Sequence, residues 1–167
     1  MWPVITGVFG FVIVIMLQFG IVSRTPMLSG TADLILLFVA AWSLHQHWKR
    51  FWIIALAFSG IVGFISATPF YIAVLVYMGV FLAADRLRLQ VWQTPLLAMF
   101  LLTFAATLVQ HALYLAVLLI TGSDFSWALA FTQVTLPSLL LNMLLAIPMH
   151  ALVMEVITTV NPRGVEL

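Results

Sequence analysis

Cysteine is absent from the 167 residues. Its absence excludes a disulfide framework, thiolate metal sites and thiol catalysis on this chain, and it leaves the redox compartment open. Charge is almost as scarce. Only 7% of the residues are charged, 6 Lys plus Arg against 5 Asp plus Glu, where an ordinary soluble domain carries roughly a quarter. Six scattered cations cannot build the clustered basic face that phosphate binding needs, so no nucleic-acid partner is expected. No glycine-rich loop runs into a lysine, which excludes a Walker-type pump. Ser126, Thr135 and Ser138 have no His and Asp constellation around them in the sequence, and no paired carboxylates occur, so no enzyme, cofactor or metal site is expected. Polar and apolar residues do not alternate in segments of about ten, which argues against a membrane β-barrel.

What the chain does contain is apolar surface. Hydrophobic residues make up 65% of it, and the mean hydropathy is +1.23. The bilayer is the solvent that such a composition fits. A spanning helix consumes about 20 apolar residues, so the expected architecture is a single all-α integral membrane domain, 1–167, with six transmembrane helices. Splitting at charges, prolines and polar clusters places them at about 3–22, 33–48, 51–67, 69–84, 94–120 and 136–160, the last beginning near Pro137 or earlier at Trp127. The first run has no basic stretch ahead of it and no clear small-residue cleavage site after it, and is expected to be a retained helix. Asp33 can cap the second helix, which is short. Thr68 and Pro69 mark a tight turn between the third and fourth, and the fifth is long enough to require tilt.

With both termini cytoplasmic, Lys49, Arg50, Arg86, Arg88 and Arg163 fall inside and Arg24 alone falls outside. This satisfies the positive-inside rule, and an odd number of spans would break it. Trp2, Trp42, Trp48, Trp52, Trp92 and Trp127 lie near expected span ends, at the headgroup level that indoles prefer.

Two stripes of small residues stand out. Ala55, Ser59, Gly63 and Ala67 recur every four residues on the third helix, and Ala98, Ala105 and Ala112 recur every seven on the fifth. Either could pack the chain internally or dock another membrane protein. The polar inventory within the spans is short. Asp33 reads as a helix cap with Arg24 as a possible ion partner, and Glu155 lies near the cytoplasmic surface. His45 and His47 point to different faces of a helix, against a metal site. Gln110, His111 and Gln133 lie in or near the last two spans. Asn142 is near mid-membrane and must hydrogen-bond another helix or a ligand. Pro148 frees the carbonyl of Leu144 and is expected to kink the last helix.

The last span carries a pattern: Leu136-Pro137-Ser138-Leu139, then Asn142, then Ala146-Ile147-Pro148 and a cytoplasmic end. With the chain length, the short second span opening at Asp33, the glycine-containing third span before Thr68-Pro69 and the basic fourth connection, it resembles MreD, the bacterial rod-shape-determining membrane protein. One position departs from the family pattern. Where members often carry an acid three residues after a glycine, this chain has Gly60-Ile61-Val62-Gly63, so a role for that acid does not transfer. The resemblance implies a non-catalytic scaffold of the inner membrane that binds MreC. Through that complex it would help position the RodA glycosyltransferase, a class B penicillin-binding transpeptidase and MreB filaments. It also implies a fold similar to the substrate-binding subunits of energy-coupling-factor transporters. That similarity supplies a rival, a vitamin- or metal-binding uptake subunit whose pocket would gather Trp127, Gln133, Asn142 and His111. The outer half of the sequence offers few polar groups for such a pocket, which favours the scaffold.

Overall fold

The computed structural model describes residues 2–45, 51–66, 69–90 and 94–160. Helices dominate it: α1 (Trp2–Gly20), a 3-10 turn (Val22–Arg24), α2 (Leu34–His45), α3 (Phe51–Ile65), α4 (Phe70–Gln90) and α5 (Pro95–Ile120). A single helical turn α6 (Trp127–Leu129), a π-helical turn (Ala130–Thr135) and α7 (Leu136–Val160) then follow without a break. Stretches at Ile5–Arg24, Phe70–Arg88, Pro95–Ile120 and Trp127–Val160 are long and apolar enough to cross a bilayer, which fits a multi-pass membrane protein. Leu34–His45 and Trp52–Ile65 are apolar but shorter. Among the described residues the only bridge pairing is the turn contact of Met27 with Gly30.

The centre of the bundle is α2. Its sequence LILLFVAAWSLH carries apolar side chains at all but Ser43 and His45, a composition that can pack against neighbours on every side. Every residue from Leu34 to Leu44 is buried. The helix packs against α1, α4, α5 and α7. At 12 residues it is about 18 Å long, well short of the roughly 30 Å of a hydrocarbon core. On α1, Phe11 stacks on Phe58 of α3 at 3.6 Å between centroids, while Phe9 and Met16 on the opposite side are exposed. α3 and α4 form a close hairpin. Gly63 makes it possible: a Cβ there would lie 2.9 Å from the Phe70 ring and 3.1 Å from the Phe70 Cα.

Arg86 and Arg88, expected in a connection, lie instead on the last turns of α4. Arg88 pairs with Asp85 at 3.5 Å, three residues earlier on the same helix. The helical tendency of Ala83-Ala84-Asp85-Arg86-Leu87 outlasts its apolar character, so α4 runs beyond the end of the hydrophobic segment. The last rod starts at Trp127, the earlier of its two expected starts, rather than near 136. His47, Trp48, Lys49, Arg50, Ala67, Thr68, Trp92 and Arg163 lie outside the described residues.

Candidate functional site

The site is built around the connection from α1 to α2, and its geometry begins with two residues of the last rod. Pro137 has no N–H, so the carbonyl of Gln133 four residues earlier has no helical donor. The chain loosens into a π turn here, with the Leu136 N–H reaching back to the Phe131 carbonyl. The freed Gln133 carbonyl accepts the N–H of Ser29 at 3.0 Å. Gly30 then lies directly against this surface. An added Cβ would sit 2.6 Å from the Val134 carbonyl oxygen and 2.8 Å from the Ser138 nitrogen, closer than any side chain can approach. Met27 and Gly30 exchange both backbone hydrogen bonds, at 2.8 and 3.0 Å. The tight turn they close holds Leu28 at φ 57°, in the left-handed region that a leucine rarely adopts.

From Gly30 onward, side chains of neighbouring helices satisfy the connection. The Thr31 N–H donates to Ser138 Oγ at 3.0 Å, and the Asp33 N–H donates to Asn142 Oδ1 at 2.7 Å. Ser138 and Asn142, four apart on α7, therefore grip two backbone donors two apart in the loop. From α1, Gln18 closes the remaining gap: its Nε2 donates to the Ala32 carbonyl at 3.0 Å and its Oε1 accepts the Leu34 N–H at 2.8 Å. The Thr31, Asp33 and Leu34 N–H groups and the Ala32 carbonyl, which would otherwise be unpaired before a buried helix, thus find side-chain partners.

The Asp33 side chain carries the second half of the site. Its Oδ1 accepts the Leu36 N–H at 2.8 Å, an N-terminal cap of α2. Its Oδ2 accepts the Tyr77 hydroxyl of α4 at 2.9 Å and the Gln110 amide of α5 at 2.8 Å. These donors and the positive end of α2 stabilise the carboxylate together; Arg24, a possible ion partner from the sequence, is not among them. Gln110 Nε2 also donates to Tyr114 Oη at 3.2 Å. Asn142 Nδ2 donates to Thr107 Oγ1 at 3.0 Å, and His111 Nδ1 lies 2.8 Å from the Thr107 carbonyl. One loop is thus fastened to α1, α4, α5 and α7 by side chains that would otherwise be isolated in apolar helices.

Beside this network is a cavity of about 360 Å³, lined among others by Gln18, Asp33, Tyr77, Gln110, His111 and Asn142. The sequence suggested that few polar groups would face such a space. The fold differs, because single polar residues on separate helices converge on the start of α2. Trp127 and Gln133, the other two residues named for a pocket, are exposed and not part of its wall. Gln18, Tyr77, Thr107 and Tyr114 escaped the sequence reading. A signal was present on α5, where Thr107, Gln110, His111 and Tyr114 follow the i, i+3, i+4, i+7 spacing of one helix face. Nothing comparable marks Gln18 or Tyr77, each a lone polar group in an apolar run.

The other candidates lie apart. Ala55, Ser59 and Gly63 are buried within the chain, and Ala98 is buried on α5, whereas Ala105 and Ala112 are exposed. Pro148 sits inside α7, and Glu155 is exposed near its end. At the far end of α2, His45 and His150 meet with their Nε2 atoms 3.0 Å apart, a pairing across 105 residues that spacing could not reveal. No group of three or more His, Cys, Asp or Glu is placed to hold a metal among the described residues. Comparison of the chain with family models, curated proteins and solved structures finds no match.

Proposed function

We propose that this chain is a non-catalytic MreD-like scaffold of the cell-wall elongation machinery. It would cross the bacterial inner membrane six times, with both termini cytoplasmic and a fold similar to the substrate-binding subunits of energy-coupling-factor transporters. One observation carries most of the support. Four of the residues that carry the resemblance, Asp33 at the start of α2 and Pro137, Ser138 and Asn142 on the last rod, lie in one contact region. A pattern scattered over 109 residues of sequence comes together at one place in the fold, and this convergence supports the reading. In this reading α2 is the second span, shortened because its N-terminus is met by side chains inside the bundle.

The scaffold would dock the single membrane helix of MreC and, through that complex, help position RodA, its transpeptidase partner and MreB. Of the small-residue surfaces, the one left for a partner helix is the α5 face with Ala105 and Ala112. Their exposure allows the close backbone approach that drives helix association in lipid. Co-purification with MreC from detergent, and loss of rod shape on depletion, are the expected outcomes; stable association with an ATPase pair and no MreC would overturn the reading. A second reading, a binding subunit of an uptake transporter, is favoured by one feature, the polar-lined cavity at the start of α2. Release of a vitamin or metal from the purified protein would select it.

A further inference from the structure

The packing of α2 on α7 is fastened at both ends. At the start of α2 the fasteners are Ser138 and Asn142. At its last residue they are His45 and His150, whose Nε2 atoms lie 3.0 Å apart. Two lone pairs facing each other at this distance repel, so without an ion one Nε2–H donates and the other Nε2 accepts. The other common partner of converging imidazole nitrogens is a metal ion, and the geometry of the pair suits one.

Two distances describe that geometry. For an ion at about 2.0–2.1 Å from each nitrogen, the 3.0 Å separation corresponds to an N–metal–N angle of roughly 90–97°. Neighbouring ligands in square-planar and octahedral sites stand at this angle. A tetrahedral ion needs nitrogens about 3.3–3.4 Å apart and would have to push the pair open. The rings themselves are 68° from coplanar, with centroids 4.6 Å apart. A straight N–H···N bond with both rings on its axis would place the centroids about 5.3 Å apart. At least one ring is therefore inclined to the N···N line, a condition that two ligands of one ion must meet because their lone pairs converge beside that line.

Burial and chemistry narrow the choice of ion. His150 is buried and His45 is half-buried at the end of α2. The pair is thus held by the core and open at its edge, where water can supply the remaining ligands. No third His, Cys, Asp or Glu joins it among the described residues. Imidazole without carboxylate suits nickel, copper and zinc, whereas magnesium and calcium take oxygen ligands. The angle favours the first two.

We propose that His45 and His150 form a two-histidine site for a late transition-metal dication, Ni²⁺ or Cu²⁺, which clips the ends of α2 and α7 together. Both rings then ligate through Nε2 and carry their protons on Nδ1. The site lies at the opposite end of α2 from the cavity and rests on neither functional reading.

The test uses the full chain, purified in detergent without a histidine tag, stripped with a chelator and titrated by calorimetry with Ni²⁺ and with Mg²⁺ as the hard-cation control. Ni²⁺ is expected to bind and to raise the Tm, and Mg²⁺ to do neither. His45→Gln and His150→Gln each keep a hydrogen-bonding side chain and remove a ligand, and each should weaken Ni²⁺ about ten-fold or more. If a variant fails to fold by circular dichroism, the wild type decides, because electron paramagnetic resonance of bound Cu²⁺ should show two imidazole nitrogens. The proposal is overturned if Ni²⁺ does not bind, if Mg²⁺ binds as tightly, if a folded variant binds Ni²⁺ like the wild type, or if the Cu²⁺ spectrum shows fewer than two nitrogens. Metal retained in full by both variants overturns the clip and leaves the uptake reading standing. MreC co-purification is scored on the same preparations, so failure of the site and failure of the scaffold reading are distinguishable.

Discussion

The small-residue stripe on α3 and the one on α5 look alike in the chain, yet the fold treats them differently. Ala55, Ser59 and Gly63 are covered by the protein itself, with the Gly63 Cα pressed toward Phe70 of α4. On α5 only Ala98 is covered, while Ala105 and Ala112 stay open beside exposed Leu101, Phe104 and Val109. Spacing shows that close approach is possible, and it does not say whose helix approaches. The α3 stripe is consumed because α4 packs directly against α3. On α5 the stripe is covered at Ala98 and open at Ala105 and Ala112, while α2, α4 and α7 pack against the helix.

That difference can be broken or sharpened by substitution. The largest effect is expected from Gly63→Leu, which drives a side chain into the Phe70 ring and backbone. Overpacking of this kind costs about 3 kcal/mol or more, and thermal unfolding in detergent should show a markedly lower Tm. Next is Asn142→Leu. It strips the half-buried Asp33 N–H and the buried Thr107 hydroxyl of their partner, a loss of about 1–3 kcal/mol by the same assay. Ala105→Leu and Ala112→Leu should leave stability within about 0.5 kcal/mol of wild type while reducing the yield of co-purified MreC. The smallest effect is assigned to Glu155→Gln on the exposed end of α7, under about 0.5 kcal/mol in stability and with no change in MreC recovery. If Gly63→Leu and Ala105→Leu destabilise equally, the contrast between the two stripes fails.

The all-helical character was legible because runs apolar on every side leave the backbone no other way to satisfy itself in lipid. Asp33 was legible as a cap because its position just before an apolar run is a local signal. Its side-chain partners were not, since Tyr77, Gln110 and Asn142 reach it from helices 44 to 109 residues away. Pro137 shows a mixture of both. Its lack of an N–H is a property of the residue, but the use made of the freed Gln133 carbonyl, capture of Ser29, depends on how the loop folds back. The start of the last rod at Trp127 was legible only as one of two choices, because the π turn lets the helix continue where the proline suggested an end.

Photocrosslinking in living cells tests the scaffold reading most directly. A benzophenone side chain placed at 105 or 112 should form an adduct with MreC, and the same group at 55 or 59 should form none. Adducts from the α3 positions, or an intact MreC complex that gives no adduct from either α5 position, would contradict it.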